Sequence, residues 1–109
     1  MPASGRPALP MSAVYVLIAI GPKELHSYAI LSEIARITDG SVRLGPGTLY
    51  TSIKRLLESG LLEEATQRPD PELDDHRRRY YRLTPAGRAV ATAEVDRLRA
   101  LVASAGSWA

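Results

Sequence analysis

The 109-residue chain contains no cysteine, which removes a disulfide framework, a thiolate nucleophile and a cysteine-based zinc site at once. That absence suits a reducing cytosol. Long apolar runs are missing too. The strongest, Val14 to Ile20, ends in Gly21-Pro22 and falls far short of the roughly 18 consecutive apolar residues of a membrane-spanning helix. It follows Arg6 but carries no small-residue cleavage site, so it reads as the core of a first helix and not as an export signal. A cytoplasmic location with no membrane segment is expected. Charge of one sign is scarce as well: 14 basic residues face 12 acidic ones, for a net charge of +2. Distribution therefore says more than the total. The length suits one small domain with a modest core and is too short for two.

The ingredients of catalysis are equally sparse. No glycine-rich phosphate loop, metal-ligand cluster or Ser/His/Asp arrangement stands out. The acids Asp70, Glu72, Asp74 and Asp75 crowd a proline-containing loop, with nothing to hold a pair of carboxylates or shift their pKa values. His26 has no acidic or second histidine partner at useful spacing and reads as a capping or core residue. No enzyme activity, cofactor or metal is expected.

What is present is concentrated between Leu44 and Leu57. Leu49, Ile53, Leu56 and Leu57 recur at i, i+4, i+7 and i+8, one stripe of a helix. Gly47, Thr48, Thr51, Lys54 and Arg55 fall on the other side, with Tyr50 on the flank. Small, hydroxylated and cationic groups on one face suit phosphates and base edges. Pro46 fits the first helical position with Gly45 as N-cap, and Gly47-Thr48 leaves a nearly bare first turn that an anion can approach. Taken alone, the same stretch is also an ordinary amphipathic helix.

The flanks narrow the reading. Ser59-Gly60 ends the helix. Leu61 to Gln67 reads as a strand, Arg68 to His76 as a polar loop, and Arg77 to Leu83 as a second strand in which Arg79, Tyr81 and Leu83 alternate with Arg78, Tyr80 and Arg82. Tyr81 and Leu83 are expected inside. A helix followed by a basic hairpin is a winged helix-turn-helix, and the position of the arginines favours a nucleic-acid surface over a merely solvated face. An earlier helix from about Ser27 to Thr38, capped by Ser27, closes at Asp39-Gly40. Its expected apolar stripe is Tyr28, Leu31, Ile34 and Ala35, with Glu33 and Arg36 outward, and it braces the recognition helix.

Thr84-Pro85 opens a last helix reaching about Ser104. Ala91, Val95, Leu98, Val102 and Ala105 are spaced 4, 3, 4, 3, the seam of a coiled coil over about two heptads. Either the helix packs on its own domain or it pairs with a second copy; a homodimer is expected, because so short a domain offers no other obvious cover for the stripe.

The motifs Gly45-Pro46-Gly47-Thr48-Leu49-Tyr50, Gly60-Leu61-Leu62-Glu63 and Arg79-Tyr80-Tyr81-Arg82-Leu83-Thr84-Pro85-Ala86-Gly87-Arg88 resemble the PadR family of bacterial transcriptional regulators. Leu17 to Pro22 and Leu25 to Ile30 agree, except that Ser27 stands where that family usually has glycine. The resemblance runs from about Met11 to Ala105. It implies a short family form with a single C-terminal dimerisation helix, a Tyr50 contact to DNA, and a small aromatic effector bound near the dimer interface.

The expected fold is mainly α with a small β-hairpin: a flexible arm over 1–9, a winged helix-turn-helix over 10–83, a dimerisation helix over 84–105 and a tail over 106–109. The expected function is that of a repressor binding a palindromic double-stranded operator as a homodimer. Thr48, Thr51 and Arg55 are candidates for base edges; Tyr50, Lys54, Arg78, Tyr80 and Arg82 are candidates for phosphates, beside the bare turn at Gly47. The alternative is a winged-helix protein-interaction module, its basic strand meeting an acidic partner. The single tryptophan, Trp108, is open to three roles: lining a ligand site, packing on a partner, or standing in solvent.

Overall fold

The computed structural model describes residues 9–65 and 79–108. In chain order these form α1 (Met11–Ile20), β1 (Leu25–His26), α2 (Ser27–Ile37), α3 (Pro46–Glu58), β2 (Leu62–Glu64), β3 (Tyr80–Leu83) and α4 (Pro85–Ala105), followed by a short 3-10 turn (Gly106–Trp108). The expected loop from Arg68 to His76 and the ends of the two expected wing strands at Thr66, Gln67, Arg77 and Arg78 lie outside the described residues, as does nearly all of the N-terminal arm.

α1 is apolar almost all round, and such a helix is stable only when other elements cover it. Ala13, Val14, Val16, Leu17, Ala19 and Ile20 are buried, and α1 touches α2, α3, α4 and β3. It is the centre of the domain. Ile30 and Ile34 of α2, Leu49, Ile53 and Leu56 of α3, and Leu61, Leu62, Tyr81 and Leu83 complete the core around it.

α2 departs from expectation in two ways. Its N-cap is His26, not Ser27: the imidazole Nδ1 accepts the backbone N–H of Ala29 at 3.2 Å. A ring nitrogen thus takes the place of the usual side-chain oxygen at one of the four unpaired donors of a helix start. Its buried stripe is centred on Ile30 and Ile34, and Tyr28 is 75% exposed. At 3.6 residues per turn Tyr28 lies about 120° around the helix from Ile34, off the face that meets α1. Thr38 closes α2, its hydroxyl donating to the carbonyl of Ile34 at 2.8 Å and accepting from Val42 N–H at 3.1 Å. Asp39 and Gly40 both take positive φ in the turn that follows.

The strands form one antiparallel sheet in the order β1-β3-β2. β1 is an addition to the expected hairpin, pairing Leu25 with Tyr81 and His26 with Tyr80. On the other side Leu62, Glu63 and Glu64 of β2 pair with Leu83, Arg82 and Tyr81. Tyr81 and Leu83 are buried, as their alternation requires.

α4 is locked to the wing root at its start. The Thr84 hydroxyl accepts Gly87 N–H at 2.9 Å and donates to the carbonyl of Gly60 at 2.6 Å, while Thr84 N–H donates to the carbonyl of Leu61 at 3.1 Å. A Cβ at position 87 would lie 2.0 Å from the Leu61 carbonyl oxygen, so only glycine lets the first turn of α4 press on this backbone. Gly60 supplies the positive φ of 76° that turns the chain out of α3 into β2.

Candidate nucleic-acid interface

α3 is built as its sequence implies. Pro46 stands in the first turn, Gly45 is the N-cap with extended backbone, and no side chain caps the helix. With Leu49, Ile53 and Leu56 3%, 5% and 0% exposed, the helix is anchored along one stripe. Gly47, Thr48, Thr51, Lys54 and Arg55 are all exposed, and Tyr50 is 67% exposed. Six of the nine residues expected to meet DNA therefore share one accessible surface. A helix held firmly on one side can present this surface without rearranging, which limits the entropy cost of docking.

One neighbour of that surface had no sequence signal. A cleft opens between the start of α1 and α3, lined by Pro10, Ser12 and Ala13 on one side and by Gly47, Thr48, Thr51, Ser52 and Arg55 on the other. Ser12 adds a hydroxyl beside the exposed face of α3, brought there only by packing of α1 on α3.

The wing residues are distributed differently. Tyr80 packs edge to face on its cross-strand partner His26, with ring centroids 5.4 Å apart. Arg82 is bound to two acids: its Nε donates to Glu63 at 2.8 Å and its Nη1 to Glu24 at 3.3 Å. Hydrogen bonds to these carboxylates, Glu63 first, raise the Arg82 pKa above its ordinary value. Arg82 thus ties β3 to β2 and to the loop before β1, on the sheet face opposite Tyr81. Arg79 shares the Tyr81 side and lines a concavity with Tyr50 and Lys54. Its guanidinium lies 3.5 Å from Glu64, and its side chain is 58% exposed. Alternation along the strand separates these two groups but does not say which faces α3; the structure gives that place to Arg79, not to Tyr80 or Arg82. Arg78 lies outside the described residues.

The proposed pairing residues of α4 form a graded series. Ala91 packs against the core, whereas Val95, Leu98 and Val102 line an open apolar patch with Ile18 of α1. Val102 and Leu101 are 71% and 66% exposed, and Trp108 is 83% exposed. Ala105 is half-buried at the end of the helix. Glu94, a buried acid on this helix, is paired with Arg97 one turn on.

The model of the transcriptional regulator PadR-like family matches residues 16–93, most of the length of the chain. This protein belongs to the PadR-like family of transcriptional regulators. Among its relatives, Transcriptional regulator Rv3488 of Mycobacterium tuberculosis is 36% identical over 79 residues, covering 72% of this chain and 67% of that protein. A PadR family transcription regulator from Clostridium difficile R20291 has a similar fold, with TM-score 0.71 and 20% identity over 91% of this chain and 98% of that one. Bacillus subtilis PadR, solved in complex with operator DNA, superposes with TM-score 0.65 and 19% identity, over 79% of this chain and 47% of that one. The family match ends before Glu94, so Val95, Leu98, Val102 and Ala105 lie beyond it. No described helix is long and apolar enough to cross a membrane.

Proposed function

We propose that this PadR-family chain is a repressor that binds a palindromic operator as a homodimer in the bacterial cytoplasm and leaves it when a small molecule binds. One observation carries the reading: Gly47, Thr48, Tyr50, Thr51, Lys54 and Arg55 are exposed together on a helix whose opposite stripe is buried. A helix anchored in this way fits a major groove, about 12 Å wide. Thr48, Thr51 and Arg55 then meet base edges, and Tyr50 and Lys54 meet phosphates. The Bacillus subtilis relative, caught on operator DNA, supports the same use of the fold.

Pairing supplies the second half-site. Val95, Leu98, Val102 and Ala105, continued from Ala91, form the seam between two copies, and two-fold symmetry of the dimer matches the operator palindrome. The wing contributes phosphate contacts through Arg78, Tyr80 and Arg82 as read from sequence, joined by Arg79, which lies beside α3.

A titration of duplex DNA at two salt concentrations tests the reading. Phosphate neutralisation makes log affinity fall with log salt at a slope of about 0.9 per phosphate contacted. A steep slope, together with enrichment of a palindrome in an unbiased DNA selection, is expected. Affinity that ignores salt would overturn the DNA reading of α3 and leave the protein-contact alternative.

A further inference from the structure

Two helices begin at the same cleft. Pro10 and Ser12 at the start of α1 lie across an opening of about 490 Å³ from Gly47 and Thr48 at the start of α3. The first amides of a helix have no partner within it. In neither helix does a side chain cap them, and neither first turn carries an acid. The positive dipole ends of both helices therefore meet one space. Arg55 adds a full positive charge to the lining, which among the described residues holds no carboxylate.

Two further observations point to an occupant. Ser52, one helical turn beyond Thr48, is only 5% exposed, and its hydroxyl has no hydrogen-bond partner among the described residues. A serine inside a helix can donate to the carbonyl four residues back; Ser52 leaves that option unused and lines the cleft. A buried hydroxyl without a partner costs the fold stability, and this one is not sealed off from outside, so an acceptor entering the cleft satisfies it. Gly47 is the second. Its φ is not positive and a Cβ there would meet nothing within 4 Å, so neither backbone nor packing asks for glycine. The missing side chain instead leaves the first amides of α3 open to close approach. An anion with several acceptor oxygens meets all these groups at once: the amides of both helices, the hydroxyls of Ser12 and Ser52, and the Arg55 guanidinium, whose five donors leave capacity for a base edge as well. A small free anion gains little from so open a cleft after the entropy cost of capture. A phosphodiester on a duplex arrives already placed by the bases that α3 reads.

We propose that the cleft between the starts of α1 and α3 seats one backbone phosphate of the operator in each half-site, with Ser12 and Ser52 as its hydroxyl donors. The seat rests on the DNA reading of α3. Its effect is orientation: α1 is fixed by the core, with Val14, Val16 and Leu17 no more than 1% exposed, so a phosphate held at its start sets the angle at which α3 enters the groove.

Ser12→Asp and Ser52→Ala in the full chain separate this role from a structural one. An acid in the first turn of α1 favours the helix, and removing an unpartnered buried hydroxyl relieves the fold, so neither variant should lower the urea midpoint. Duplex affinity should fall all the same, about hundredfold for Ser12→Asp and about tenfold for Ser52→Ala. Thr92→Asp, the same change of charge on an exposed turn of α4, should leave it within about twofold. Ethylation interference on the duplex enriched by selection locates the phosphate: wild-type binding should be blocked at one position per half-site whose effect shrinks in Ser52→Ala. Identical ethylation patterns in the two proteins, losses matched by Thr92→Asp, or a midpoint lowered in both serine variants overturn the seat and leave the DNA reading standing. Inorganic phosphate, titrated into the chain without DNA, should not saturate below about 10 mM. Saturation at micromolar concentration that Ser12→Asp removes would make the cleft a site for a free phosphorylated molecule and overturn the backbone seat. A wild-type chain that binds no duplex at low salt overturns the seat together with the function proposed above.

Discussion

α3 and α4 both start with a proline in the first turn, yet α3 hides its apolar stripe inside its own domain while the far half of α4 leaves Leu101 and Val102 66% and 71% exposed. The difference runs along α4 itself. Gly87 is buried against Leu61, and Val90 and Ala91 pack on the core; beyond them the helix outruns the elements that could cover it. Each helix thus shows what it lacks. α3 presents hydroxyls and cations that gain from an anionic polymer, whereas α4 presents aliphatic surface that gains only from leaving water.

The largest expected effect comes from turning the α4 surface into the α3 kind. Leu98→Glu places a charge among Ile18, Val95 and Val102, where burial without a counter-charge is prohibitive. The proposed dimer should split, and duplex affinity should fall by about 10²–10⁴ if two half-sites are linked through it. Sedimentation beside a DNA titration reads both; a mutant that stays dimeric would remove the seam from the interface.

Truncating each apolar stripe comes next. Leu56→Ala, at a fully buried position, should cost about 2–5 kcal/mol in urea unfolding. Leu101→Ala in the Leu98→Glu background should stay within about 0.5 kcal/mol. Equal losses would erase the contrast between the helices.

Smaller still is Arg55→Ala. The side chain is exposed, so the unfolding midpoint should hold while DNA affinity drops by about 1–3 kcal/mol if the contact is to a base edge.

The smallest effect belongs to α2, whose surface charges are satisfied within the chain. Hydrogen bonding from Arg36 holds the Glu33 carboxyl at about 2, below its ordinary 4.5. A carboxyl whose folded pKa is depressed stabilises the fold above its unfolded pKa, and that contribution is lost as pH falls from about 4.5 towards about 2. Glu33→Gln should flatten this part of an acid-unfolding curve. The pair is exposed, so only a slight shift is expected.

Local rules carried much of the reading. Pro46 and Pro85 in the first helical turns, Gly60 at the turn out of α3, Thr84 as a cap and the two faces of α3 all stand as the sequence implies, since each depends on contacts within about one helical turn. The alternation that buries Tyr81 and Leu83 is local too. What escaped shares a different cause. β1 spans two residues, too few for any periodicity, and exists because β3 offers it an edge. His26 caps α2 because the same strand geometry holds its ring in place. Tyr28 and Ile30 both sit near an apolar stripe, and the position of α1 decides which of them is buried.

The amino-acid sequence by itself determined where α3 and α4 begin, which side of α3 is polar, and that α4 carries more apolar surface than a polar helix needs, because these follow from backbone sterics and side-chain spacing. Only the tertiary structure decided that Arg79 and not Arg82 stands beside α3, that Ser12 lies next to the exposed face of α3, and that Tyr28 and Tyr50 border one recess. Those are distances between elements far apart in the chain, fixed by how the layers pack around α1, and no local pattern encodes them.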